Sequence, residues 1–501
     1  MKLSARLLLL IACCYLGMQV QAQTVTSFEG IDASQLSIQG NDIDPNGAVG
    51  TKQYMQWVNP YYQAYDKVTG APVWSTPQRG VLPWYVNGQM GCTNIAGDGL
   101  VMFDRLASRW VVGGRSQQSG QYYYCVAVSN TDDLTSKTLK WYTYQIPLNP
   151  ILGTNSLGST YFPDWPKLGV WQDGYYLSID LEDTGNKYRE IGVVVCALDR
   201  QNMLNGLAQR TPQCFSDPNP IPTSGSLYLS HSVIPADIGG TTAPPAGRDE
   251  FLVSIQNPPA DGVSSTSTTV NLWEFHTDWN TPSNSTLTKS PVSVPIYTPG
   301  CYAVTSPANT YCVLEPSFNL SGQHYHIDSV GDRIMPRFEY QAFPTYESFL
   351  FSHTVQVSAR THQTGIRWVE LRGDGVTPPT YWNSGIVSPD TLVFRTVPSI
   401  AQDKNADAAV GYTVASPSVH PGIRASTFNL RSAFAPSEIV ILNGAADEQN
   451  AKQWGDYTSM TVDPVDGCTF WYTNEYFMTN QVGTPLTWQT RIAHFKLATC
   501  Q

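Results

Sequence analysis

Four aspartates, Asp44, Asp98, Asp164 and Asp456, stand at one position of a hairpin that recurs along the chain. Each lies six or seven residues ahead of the Asp, or its equivalent, that follows the hairpin's first strand. Two carboxyl groups flanking one bond are the working parts of most glycoside hydrolysis. One, with a raised pKa, protonates the leaving oxygen, and the other acts as base or nucleophile. Crowding with other carboxylates raises a pKa in the required direction. At the corresponding places in the remaining hairpins stand His231, then Asp332 with Arg333, then Arg395. His231, Arg333 and Arg395 are side chains suited to binding an acidic sugar, so the predicted mouth is polarised.

The same residues support two other readings. In a binding module the carboxylates hold a cation such as Ca²⁺ or contact sugar hydroxyls, with Trp and Tyr as stacking platforms. In a purely structural reading each Asp accepts backbone N–H groups and fixes a turn. Asp104, Asp403 and Asp463, which follow the first strand, are read in this structural way. His324 and His326 share one strand face, as a metal pair would, but no third ligand is signalled nearby. His353, in an inner hairpin, is the residue that would serve a polysaccharide lyase with a Tyr partner; the commoner reading is a packed, hydrogen-bonded histidine. The motifs G-x-S-x-G and H-E-x-x-H and a phosphate loop are absent, which disfavours those mechanisms.

The elements that must position these residues are short strands. Ser399 to Thr413, SIAQDKNADAAVGYT, aligns without a gap on Ser459 to Thr473, SMTVDPVDGCTFWYT. Each is an apolar strand, an Asp in a polar turn, and a second apolar strand ending in Tyr-Thr, which is a β-hairpin. Looser copies occur at Ala48 to Asn59, Leu100 to Gly114, Leu168 to Ser178, Ser232 to Ile255 and Ile334 to His353. Further strand-like runs follow each copy. Two hairpins per unit make a four-stranded blade, and units of this size stack radially. The predicted fold is therefore all-β, a seven-bladed β-propeller of four-stranded antiparallel blades. A pair of β-sandwiches would not repeat one inner hairpin around the whole chain. Trp488 to Leu497 gives the last blade only a third strand, and Thr24 to Gly30, the mature N-terminal strand, is expected to supply the fourth and close the ring.

Trp454 to Tyr476, WGDYTSMTVDPVDGCTFWYTNEY, together with DWPKLGVWQDGYY at Asp164 to Tyr176 and GIRWVELR at Gly365 to Arg372, resembles a family of exported bacterial β-propeller proteins with sialidase-like (BNR-type) repeats. The resemblance spans nearly the whole mature chain. It implies export and a propeller, and it implies no particular activity. The sialidase Asp-box, S-x-D-x-G-x-T-W, is absent.

Composition agrees with a strand-and-turn protein. Of 501 residues, 39 are Gly and 35 Pro, 12% are aromatic and only 14% charged. The net charge of −11 argues against nucleic acid, whose phosphates require a basic surface. Lys2 and Arg6, the apolar run Leu7 to Met18, and Val20-Gln21-Ala22 read as a signal peptide over residues 1–22, leaving one domain over residues 23–501. Lipidation at Cys13 is the less favoured alternative, because the apolar run before it is short. No later segment is long and apolar enough to span a membrane. Eight cysteines remain after the signal: Cys92, Cys125, Cys196, Cys214, Cys301, Cys312, Cys468 and Cys500. An even count in an exported chain predicts disulfides, with sequential pairing. Cys468 begins one strand and Cys500 follows its antiparallel neighbour, so these two are expected to pair. The expectation is a secreted or periplasmic monomer that acts on or binds an extracellular glycan. The alternative is a non-catalytic scaffold for a surface protein.

Overall fold

The computed structural model describes residues 24–36, 43–79, 92, 95–186, 189–218, 232–256, 266–301, 311–431, 436–448, 454–479 and 487–500. The predicted signal peptide and His231 lie outside them. Strands dominate, in four-stranded antiparallel units. The first unit holds Asn46–Val49, Gln53–Val58, Tyr61–Asp66 and Gln78–Arg79. The second holds Ile95–Asp104, Arg109–Gln118, Gln121–Ser129 and Trp141–Pro147, and the third Phe162–Val170, Tyr175–Asp183, Arg189–Leu198 and Gln213–Asp217. The fourth holds Ile234–Ile238, Glu250–Ile255, Ser267–His276 and Thr286–Tyr297; the fifth Ile334–Phe343, Tyr346–Gln356, Thr364–Gly373 and Thr380–Val387. The sixth is built from Phe394–Gln402, Asp407–Ser416, Val419–Asn429 and Ser437–Leu442. In the terminal unit, Ser459–Val462, Thr469–Phe477 and Trp488–Lys496 are joined by Thr26–Glu29, which pairs antiparallel with Arg491 to His494.

Turn chemistry explains the hairpins. In the terminal unit Asp463 accepts from Val465 N at 2.9 Å, and Asp466 accepts from Cys468 N at 2.8 Å and Thr469 N at 2.9 Å. These carboxylates replace the backbone partners that a tight turn cannot supply. Asp403 does the same for Asn405 N and Asp407 N. Asp104 accepts from Ala107 N at 3.0 Å in the same way, and also takes a two-point ion pair from Arg200, at 2.6 and 2.9 Å, and a hydrogen bond from Tyr175 Oη.

The first strands of successive units pack side by side in a ring, the first unit's against the terminal unit's. They run in one direction: Ala236 to Ile238 pairs parallel with Phe338 to Tyr340, which joins the fourth and fifth units into one eight-stranded sheet. Later strands of each unit step outward, the layout of a β-propeller. The core lies between neighbouring units, where Trp57, Trp110, Trp171, Trp273, Trp454 and Trp488 are fully buried. Glycine admits some of these rings: a Cβ at Gly99 would fall 2.0 Å from the Trp57 indole. Trp454 donates to Thr413 Oγ1 at 3.0 Å, which ties the terminal unit to the sixth.

Four disulfides pair the eight cysteines in sequence: Cys92–Cys125, Cys196–Cys214, Cys301–Cys312 and Cys468–Cys500. No helix among the described residues is long and apolar enough to cross a membrane. One hairpin, Tyr311–Phe318 with His324–Asp328, falls between the fourth and fifth units in the sequence and packs against the sixth. His324 and His326 lie on its second strand.

Candidate functional site

The first strands enter the ring from the same end, and in the first six units the entry is kinked. Asp44, Asp98, Trp165, Ser232, Val330 and Val397, one from each of the first six units, have φ between 46° and 51°. A non-glycine residue in this region carries a local cost, which persists only where surrounding structure enforces it. Four of these strands also shift register there, between Gly97 and Leu100, Asp164 and Lys167, Met335 and Glu339, and Thr396 and Ser399. A bulge re-aims side chains.

The four aspartates singled out by sequence do gather. Asp98, Asp44, Asp164 and Asp456 all act electrostatically on one buried phenol, Tyr457, and hold its pKa up together with burial, the larger cause. Their environments differ. Asp44 is 1% exposed and accepts from Asn59 Nδ2 at 2.9 Å. Asp98 is paired with Arg115 Nε at 2.8 Å. Asp164 sits opposite Asp180 across the third unit's first two strands. Burial, then the charge of Asp98, pushes the Asp164 carboxyl up to about 6, against the pull of Arg115 and Arg333.

Several partners were not picked out by sequence. Lys167 Nζ lies 2.9 Å from Tyr457 Oη, and 4.5 Å from the Trp165 and 4.3 Å from the Tyr457 ring centres. Burial brings the Lys167 ammonium down to about 7, with Arg333 acting in the same sense. Glu182 and Glu190 face each other across neighbouring strands, where like charges oppose each other. Burial first, then neighbouring carboxylates, pushes both pKa values up. Arg333 binds Glu190 at 3.1 Å and Asp332 at 2.9 Å, and its guanidinium lies 4.1 Å over Trp165. The visible signals were a lysine inside the apolar run FPDWPKLGV and the period-two acids Asp180 and Glu182.

Arg395 is held elsewhere. It is 1% exposed and gripped by Glu438 at 2.9 Å and Asp390 at 2.7 Å within the sixth unit. Beneath the mouth the channel is filled. Arg337 reaches across the axis to Asp237 at 2.5 Å, to Gly47 O at 3.0 Å and to Val101 O at 3.3 Å. Among the described residues no group of three or more His, Cys, Asp and Glu is arranged to hold a metal ion.

The mouth therefore combines a carboxyl that takes up a proton near pH 6, a second carboxylate locked to an arginine, and a buried cation beneath them. That set can exchange a proton with a ligand and hold charge on it. No protein-family model matches the chain, and no curated protein matches it. Among solved structures it is similar to an α-L-arabinanase of Penicillium chrysogenum, with 10% identity, 82% of this chain and 100% of that chain covered, and a TM-score of 0.35. It is also similar to Trypanosoma rangeli sialidase, at 8% identity over 95% of this chain and 60% of that chain, with a TM-score of 0.37. A third likeness is to a protein of unknown function from Dyadobacter fermentans, at 12% identity over 79% and 94%, with a TM-score of 0.32.

Proposed function

We propose that the protein is an exported carbohydrate-active β-propeller and that the mouth around Asp98 and Asp164 is its site. In this reading seven units are blades of one ring closed by Thr26–Glu29, and residues 1–22 direct export. Asp164 serves as general acid and Asp98, held by Arg115, as base or nucleophile, with Arg333 and Lys167 favouring a substrate that carries negative charge. Asp44 and Asp456 act through their charge on the others, and Tyr457 is the floor against which Lys167 is fixed. The observation that carries this is the contrast between the two carboxyls: one raised to about 6, the other ion-paired at 2.8 Å. Carboxyl pairs whose environments differ in this way divide the acid and base roles between them.

The test is a panel of polysaccharides incubated with the purified protein, with binding and release of reducing ends measured across pH 4–8. Release is expected to fall as pH rises through about 6, because the acid form of Asp164 is then lost. Asp164→Asn is expected to lower the rate by about 10²–10⁴-fold. Binding without release would make the site a glycan-binding module. Neither binding nor release of any member would leave the scaffold alternative, in which a surface protein is the partner.

A further inference from the structure

At the other end of the ring, where the first strands finish, the channel opens into a cavity of about 280 Å³. Arg105 lines it part-buried, and so does Asp466, which is held by Lys496 at 3.5 Å, while Thr241, Thr242 and Lys404 are exposed around it and Phe343 stands at its side. The Arg105 guanidinium donates to Val462 O and forms no ion pair with a described carboxylate. Glu339 does not neutralise it: that carboxylate accepts from Gln402 N at 2.5 Å, and burial pushes its pKa up to about 8. Burial also disfavours the charge on Arg105 itself. The charges of Asp237 and Asp463 also reach Arg105, but Asp237 is ion-paired with Arg337 and Asp463 with Lys67, so Arg105 has no carboxylate partner of its own among the described residues. The volume is just below the ~300–1,000 Å³ of sites for drug-sized ligands, so it suits one charged ring or a smaller group.

From Phe343 a ladder of side chains leads outward along the same end of the fifth unit. Tyr346 stacks on Phe343 with ring centres 4.8 Å apart. The Arg372 guanidinium lies 4.0 Å from the Tyr346 ring centre and 4.5 Å from that of Trp382. Trp382 is 58% exposed. Arg431 is exposed and reaches Tyr346 Oη at 3.3 Å, over the face of Phe343. Glu370 neutralises Arg372 at 2.7 Å, while no described carboxylate pairs with Arg431. Flat rings interleaved with guanidinium groups suit sugar faces and acid groups in turn. A neutral glycan would leave Arg105 unmatched, and the chain's net charge of −11 opposes unspecific capture of polyanions.

We propose that this end is a second ligand site, which takes an acidic oligosaccharide. Its terminal carboxylate or sulfate group sits on Arg105, and the following rings lie along Phe343, Tyr346 and Trp382. The site is independent of the chemistry assigned to Asp98 and Asp164.

Calorimetric titration of the purified protein with tetragalacturonate, a sulfated galactotetraose, neutral galactotetraose, galacturonate and inorganic sulfate tests it. At least one acidic tetrasaccharide is expected to bind ten-fold or more tighter than the neutral one, and the better of the two identifies the acid group. Arg105→Gln is expected to weaken it at least ten-fold. Trp382→Ala should weaken the tetrasaccharide and leave galacturonate unchanged. Should Arg105→Gln melt early, the exposed changes Trp382→Ala and Arg431→Gln decide. Equal binding of the neutral tetrasaccharide, binding of inorganic sulfate alone, no binding of either acidic tetrasaccharide, or wild-type affinity in the variants would overturn the proposal.

Discussion

Replacing Arg337 by leucine is expected to destabilise the protein by about 3–5 kcal/mol, the cost of leaving a buried charge without its partner. Arg337 and Asp237 are 8% and 7% exposed and meet at 2.5 Å. The guanidinium also serves Gly47 O, Val101 O and Ser459 Oγ, so one side chain bridges first strands from five units. Leucine fills part of the space beside Pro235 and Phe338, but satisfies none of those acceptors. Burial already holds the Asp237 pKa up and Arg337 holds it down. Without Arg337 it rises further, so the loss should shrink in acid as Asp237 takes up a proton. Changing both residues to leucine should recover most of the loss, because a buried pair and an apolar pair of similar volume are often close in stability. The assay is guanidinium unfolding followed by tryptophan fluorescence for the wild type, both single variants and the double. A single-variant cost below ~1 kcal/mol, or additive costs in the double, would refute the bridge as the element that unites the ring.

Other predictions test separate parts of the structure. Trp454→Ala removes a fully buried indole and its bond to Thr413, and should cost about 3–5 kcal/mol in the same unfolding assay. Replacing Cys468 and Cys500 by serine opens a loop with a sequence separation of 32; the chain-entropy model gives a loss of about 3–4 kcal/mol, read as a lower unfolding midpoint without reductant. Glu315 has its pKa pushed from 4.5 up to about 9 by burial and by Asp447. Its protonated form favours folding, so its contribution is complete below about pH 4.5 and is lost as pH rises through about 9. Glu315→Gln should therefore flatten the decline in melting temperature over that range, and an unchanged slope would exclude Glu315 as its source.

What was legible in the sequence was whatever repeats locally. The alignment of residues 399–413 with 459–473 placed strands Phe394–Gln402, Asp407–Ser416, Ser459–Val462 and Thr469–Phe477 close to where they lie. It worked because strand alternation and turn aspartates act within a few residues of each other. Cysteine order was enough for the four disulfides, since each closes within or beside one sheet. The clustering of Asp44, Asp98, Asp164 and Asp456 followed from the same repeat. The partners that set their chemistry were hidden because they meet only through the ring: Lys167 and Tyr457 are 290 residues apart. Arg395 shows the opposite limit. Its position in the repeat matches the others, yet Glu438 on the edge strand of its own unit holds it, and no periodicity encodes that choice.

The pairing of Thr26–Glu29 with Arg491 to His494 has a kinetic consequence. These residues lie at almost the largest sequence separation the chain allows, and loop-closure entropy must be met before such a contact forms. Their joining is therefore expected at the end of folding, after the strands between them have found their places. Until then Trp488–Lys496 offers its free backbone groups to any extended segment nearby, including the same strand of another molecule. The interval before that strand is covered is when association between copies competes with completion of the native fold.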